Sequence, residues 1–240
     1  MGMRIGFGAP VAGAWATPGY LTAFARRAEE TGYASLWGFQ RLLVPEGSGM
    51  EPVYRSVLDP MVALGYAAAS TSRIRLGVAV INLPFVSPVV LAKQAATLDV
   101  LSGGRLDLGL GVGWMPEEFA ATGASMQRRG ARAEEYIAVL HALWADGVTE
   151  FSGEFYTVPA ARMAPKPVQR PGPPVILGGV AQRDFDPRRR VKRVQGRPGV
   201  WEMTWAADGR ATFEYGPEVI AGEPHVIWRR FSTHDVFRRP

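Results

Sequence analysis

Apolar residues follow two alternating spacings over the first three quarters of the chain. Short, largely apolar runs stand at Arg4 to Ala9, Ala34 to Gly38, Arg73 to Leu83, Leu106 to Leu110 and Val175 to Gly179. Runs of this length predict strands, and the longest, RIRLGVAVINL, suits a strand buried on both faces. Between them the apolar positions recur at helical spacing. Leu21, Phe24, Ala25 and Ala28 share one face, as do Met61, Leu64 and Ala68, then Leu91, Ala95, Leu98 and Leu101, then Ile137, Leu140 and Trp144. Thr17-Pro18, Asp59-Pro60 and Ser87-Pro88 each place a capping side chain before a proline that can open a helix. Gly32 and Gly103-Gly104 supply stops. Thr149 to Thr157 reads as a hairpin turning at Ser152-Gly153. Strands alternating with helices predict an α/β fold built of βα units on a parallel sheet.

After Gly179 the pattern changes. Asp184 to Gly199 is polar and arginine-rich, and Val200 to Phe237 alternates with a strand period between turn signals at Asp208-Gly209 and Ala221-Gly222. This divides the chain into residues 1–180, a basic linker at 181–195, and a small antiparallel β tail at 196–240.

Composition narrows the chemistry. An apolar share of 47% with 20% charged residues in 240 supports a packed core and opposes disorder. Cysteine is absent, which excludes disulfides, thiolate metal sites and cysteine nucleophiles. His141, His225 and His234 lack metal-ligand spacing. No apolar run reaches the roughly 18 residues of a membrane span, and no signal peptide pattern opens the chain, so a cytoplasmic protein is expected. Residues 1–180 hold 15 basic and 14 acidic side chains, whereas 181–240 hold 12 and 8. The basic character therefore belongs largely to the tail.

Candidate site residues lie at the predicted strand ends, the face on which βα barrels build their sites. Gln40 and Arg41 follow the second strand, and Arg41 suits an anionic group or a plain surface position. Asn82 ends the third. Gly109-Leu-Gly-Val-Gly113 turns from strand to helix and either binds an anion on backbone N–H groups or simply makes a tight turn. Trp37 and Trp114 suit stacking on a planar ring or core packing. Glu117-Glu118 fit the positive end of a helix dipole. His141 reads as a helix-face residue. The run Arg188, Arg189, Arg190, Lys192, Arg193 reads as a solvated linker or a phosphate-binding patch.

The segment order resembles the luciferase-like monooxygenase family, and more closely its coenzyme F420-dependent branch. The matching text includes RIGFGAP, TGYASLW, RLLVP, LAKQAATLDVLSGGRLDLGLGVGW, RRGARAEEYIAVLHALW, GEFYTVP and PKPVQRPGPPVILGG. The resemblance implies a TIM-barrel-like fold, here incomplete at about five βα units. It implies a cofactor, F420 or alternatively FMN, at the C-terminal ends of the strands, with hydride transfer or monooxygenation of a small organic substrate. Carried over as cofactor-binding positions are Ala79, Val80, Asn82, Gly111, Gly113, Gly178 and Gly179, and a non-proline cis peptide is expected near Ala79-Val80. Relatives often carry an acidic residue and a histidine where Gln40 and Arg41 stand, and some carry a glutamate where Trp114 stands. Those three remain the catalytic candidates. A homo-oligomer is also expected.

The tail has a second resemblance. VKRVQGRPGVWEMTW, DGRATFEYG and HVIWRRFSTHDVF are similar to the sheet half of RelE/ParE-type toxins, which implies a basic face with Arg210, Arg229, Arg230 and His234, and an RNA- or ribosome-binding alternative function. An inactive fusion product is the third possibility. The tail strands are also candidates to pair with the open edge of the incomplete barrel.

Overall fold

Among the described residues, four of the five α-helices begin with proline at their first position, and three of those four are also capped by the side chain just before it. Thr17 Oγ1 accepts from Tyr20 N, Asp59 Oδ1 from Val62 N, and Ser87 Oγ from Val90 N. These devices open α1 (Pro18–Glu30), α2 (Pro60–Ala68) and α3 (Pro88–Ser102). Proline opens α4 (Pro116–Thr122) without a side-chain cap, and α5 (Arg129–Trp144) is the longest helix. The computed structural model describes residues 5–178 and, as backbone only, four strands of the tail.

Five strands, β1 (Gly6–Gly8), β2 (Ser35–Gly38), β3 (Arg75–Asn82), β4 (Leu106–Gly111) and β7 (Val175–Leu177), form one parallel sheet in the order β1-β2-β3-β4-β7. A hairpin of β5 (Thr149–Ser152) and β6 (Thr157–Ala161) lies in the chain between β4 and β7. Its loop is Gly153 to Tyr156, longer than the two-residue turn expected. The Glu135 carboxylate accepts from the backbone N–H of Glu154, Phe155 and Tyr156, and so holds the loop open.

The parallel register separates two faces. Leu36, Leu76, Val78, Leu106, Leu108 and Leu110 are fully buried on the helix side. Tyr136 and Trp144 of α5 close this core, donating to the carbonyls of Val86 and Ala92. The opposite, concave face carries Ser35, Trp37, Arg75, Gly77, Asp107 and Gly109. Trp37 lies across it: a Cβ on Gly77 would stand 2.3 Å from the indole, and Trp37 Nε1 donates to Ser35 Oγ at 2.8 Å. Small residues beside one large one are how a curved sheet fills its inside. At the N-terminal end, Arg75 grips Asp107 through Nε and Nη2, and Gln169 joins Arg75 to Asp99.

Three positions depart from the expected pattern. Leu101, placed on the inward face of α3, is 72% exposed, because α3 packs through Leu91, Ala95 and Leu98 and ends one residue later. Phe24 is half exposed and makes an edge contact with Phe7 instead of entering the core. The third strand is not buried throughout, since Ala79 is exposed.

The tail strands β8 (Lys192–Arg193), β9 (Val200–Thr204), β10 (Arg210–Gly216) and β11 (His225–Ser232) form their own antiparallel sheet in sequential order. They do not join the parallel sheet. Neighbouring strands close short loops at lower entropic cost than a distant edge would require. β8 falls within the stretch read as linker. Of that stretch's charge run, Arg188 to Arg190 lie outside the described residues, as does Gly179.

Candidate active site at the strand ends

The C-terminal ends of β2, β3, β4 and β7 bring most of the sequence-selected residues together. β3 breaks its register with β4 between Val78 and Ile81. The Ala79–Val80 peptide there is cis, at the position the resemblance implied. Val80 leans over the neighbouring strands: a Cβ on Gly111 would lie 2.6 Å from Val80 Cγ2, and one on Gly178 would lie 2.7 Å from Val80 Cγ1. Side chains at those two glycines would displace Val80. Ala79 remains open, and a Cβ on Gly8 at the end of β1 would meet nothing within 4 Å. The result is a small-residue floor on the inside of the sheet.

Gln40 is tied to this floor, since its Oε1 accepts from Asn82 N at 2.9 Å. Arg41 is drawn the other way. Its guanidinium meets Glu118 Oε1 at 3.1 Å, with side-chain exposures of 13% and 2%. Glu118 Oε1 also accepts from Leu42 N at 2.8 Å. Arg41 is therefore neutralised and does not present a free cation. Glu118 is held by this pair, not by a helix dipole alone. Its role was invisible in sequence because the pair joins the loop after β2 to α4, far apart in the chain.

Arg41 lies 5.3 Å from the centroid of the Trp114 ring, and Trp114 is 62% exposed. Trp37, by contrast, belongs to the inner packing layer. Gly113 is spent on packing: it is buried at φ +72°, and a Cβ would lie 2.9 Å from Phe119 and 3.3 Å from Phe85. The glycine turn is thus a tightly packed corner, and the first turn of α4 carries Glu117 and Glu118. His141 sits on the exposed face of α5 beside Trp144, away from the strand ends, and burial against that ring lowers its pKa.

One residue was not selected from sequence. Arg129, in the first turn of α5, donates to the Gly113 carbonyl. Its Nε is buried without a partner, as are the Nε atoms of Arg41 and Arg132. The signal available in sequence was the Arg128-Arg129 pair opening a helix, where like charge opposes the dipole and so needs another reason. Among the described residues no group of acidic and histidine side chains could hold a metal ion, and no helix is long and apolar enough to cross a membrane.

A family model described as luciferase-like monooxygenase matches residues 3–219. The chain belongs to the luciferase-like monooxygenase family. The match runs past residue 180 and into the tail strands. An uncharacterized protein of Mycobacterium tuberculosis is 33% identical over 228 residues, covering 83% of this chain and 77% of that protein. The FMNH2-dependent dimethylsulfone monooxygenase of Pseudomonas putida is 31% identical over 175 residues, covering 72% of this chain and 46% of its own length. The solved structure of an F420-dependent secondary alcohol dehydrogenase superposes with a TM-score of 0.62 at 23% identity, covering 75% of this chain and 53% of the other. The luciferase-like chain thus spans about half the length of the latter two relatives. Its five parallel strands correspond to part of a TIM-barrel fold.

Proposed function

We propose that this chain is an oxidoreductase that uses a flavin-type ring, coenzyme F420 or FMN, on a small organic substrate. The observation that carries this reading is the floor at the break in β3. Ala79 is exposed at the centre of a sheet whose other face is closed, and Val80, Gly111 and Gly178 leave no larger side chain above it. A flat ring fits such a surface. A side chain at Ala79 much larger than methyl would occupy the same space.

The cationic part of the fit comes from Arg129, whose buried Nε atom lacks a partner. It is suited to the phosphate that both cofactors carry, and it already reaches the end of β4 through the Gly113 carbonyl. When bound, either ring supplies hydride transfer, and the protein's contribution is placement and shielding. Gln40 holds the backbone of Asn82 at the edge of the floor, which fixes that edge. Among the described residues the strand ends carry no imidazole, and Glu118 is committed to Arg41 and Leu42. The described strand-end residues therefore serve to position the ring and exclude water. Relatives named for FMNH2 and for F420 support both cofactors equally.

The test is titration of the full chain with F420 and, in parallel, with FMN, read by quenching of tryptophan fluorescence and by dialysis. Saturable binding of one cofactor, weakened at least tenfold by Ala79→Phe, supports the reading. Binding of neither by the folded protein overturns it.

A further inference from the structure

We propose that Trp114 is a fixed stacking wall for a planar, uncharged part of the substrate, and that the Arg41–Glu118 pair positions it. The proposal rests on the reading of the strand ends as a cofactor and substrate site, and it adds the substrate class.

The Trp114 indole is 62% exposed and so offers ring surface that a ligand can cover. Such a ring on a loop would ordinarily be free to turn. Here it is backed. The Arg41 guanidinium lies against the ring at 5.3 Å from its centroid, and Arg41 is itself held between Glu118 Oε1 at 3.1 Å and Met115 Sδ at 3.5 Å. Glu118 is 2% exposed and Arg41 13%, so this support is part of the packed structure. The cation engages the ring, and the 62% exposure leaves the rest of it open to a ligand. Offset or edge contact with a second ring is the favourable use of that surface.

The same pair sets the charge of the wall. Arg41 would attract an anion on its own, but Glu118 cancels it within hydrogen-bond distance. The floor below is Ala79, Val80 and glycine. Further apolar surface stands exposed on the neighbouring loops at this end of the sheet, at Trp15 and Leu42. An anionic substrate group would lose its hydration and meet the negative face of the indole, and a cationic one would compete with Arg41, which already engages that ring. A neutral ring loses little and gains the stacking contact. Arg41 and Glu118 are positioning residues, since they act through Trp114.

Three isosteric probes test this on the full chain: 2-methoxynaphthalene, N-methylquinolinium and naphthalene-2-sulfonate. Binding is read by tryptophan quenching and by competition, and F420 and FMN binding are measured on the same samples. The neutral probe is expected to bind tightest, and Trp114→Ala to weaken it about tenfold, with cofactor affinity unchanged. Trp114 is exposed, so this variant folds. Glu118→Gln uncovers the Arg41 charge and is expected to raise sulfonate affinity relative to the neutral probe, a change that mere loosening would not produce. The double variant Arg41→Met with Glu118→Gln removes both charges and should cancel that gain. Equal binding of the neutral probe by wild type and Trp114→Ala overturns the wall, and so does tighter binding of a charged probe by wild type. Cofactor binding without Trp114-dependent probe binding removes the wall and leaves the cofactor reading intact. Trp114-dependent probe binding without any cofactor binding keeps the wall and removes the cofactor reading.

Discussion

Glu118 Oε1 meets the guanidinium of Arg41 at 3.1 Å in a setting where the carboxylate side chain is only 2% exposed. The pair ties the loop after β2 to α4 and carries Trp114 on its outer side. Removing one partner strands a buried charge. Glu118→Ala is expected to destabilise the fold by about 3–5 kcal/mol. Arg41→Met with Glu118→Gln is expected to stay within about 1 kcal/mol of wild type, because neither charge is left behind and the amide oxygen still accepts from Leu42 N–H. Urea unfolding of the three proteins checks this.

Glu29 ties α1 to the start of β3. Burial opposes its ionisation, but the N–H groups of Ile74, Arg73 and Ser72 and the Ser72 hydroxyl outweigh that cost and hold its pKa at about 2 instead of 4.5. A carboxylate depressed on folding stabilises at pH above its unfolded value and loses that contribution as pH falls. The loss should therefore run from about pH 4.5 down to about 2. Thermal melts at pH 6, 4 and 3 should show a smaller fall for Glu29→Gln than for wild type, and equal falls would refute the assignment.

Glycines differ in what surrounds them. A Cβ on Gly109 would lie 1.8 Å from the Val78 carbonyl oxygen, a backbone atom that cannot move aside. Gly109→Ala is expected to destabilise by about 3 kcal/mol or more. Gly19 in α1 has nothing within 4 Å, and Gly19→Ala is expected to stabilise by up to about 1 kcal/mol. Chemical denaturation of the two variants should move in opposite directions.

The sequence by itself determined the element order, the caps and the parallel strands. Thr17, Asp59 and Ser87 act within three residues, and strand and helix periods repeat over a few turns, so both are written locally. It also placed Asn82 and Gly111 at one end of the sheet, because parallel strands align their ends, and the family resemblance added Ala79 and Val80. Only the tertiary structure decided what the charged and aromatic residues do. Arg41 became a paired support instead of a free cation, Trp37 an inner layer instead of a stacking face, Gly113 a packing corner, and Glu29 and Glu135 clasps on distant loops. Those outcomes depend on which loops meet across the sheet. Burial then forces each polar group to take the partner that the meeting supplies.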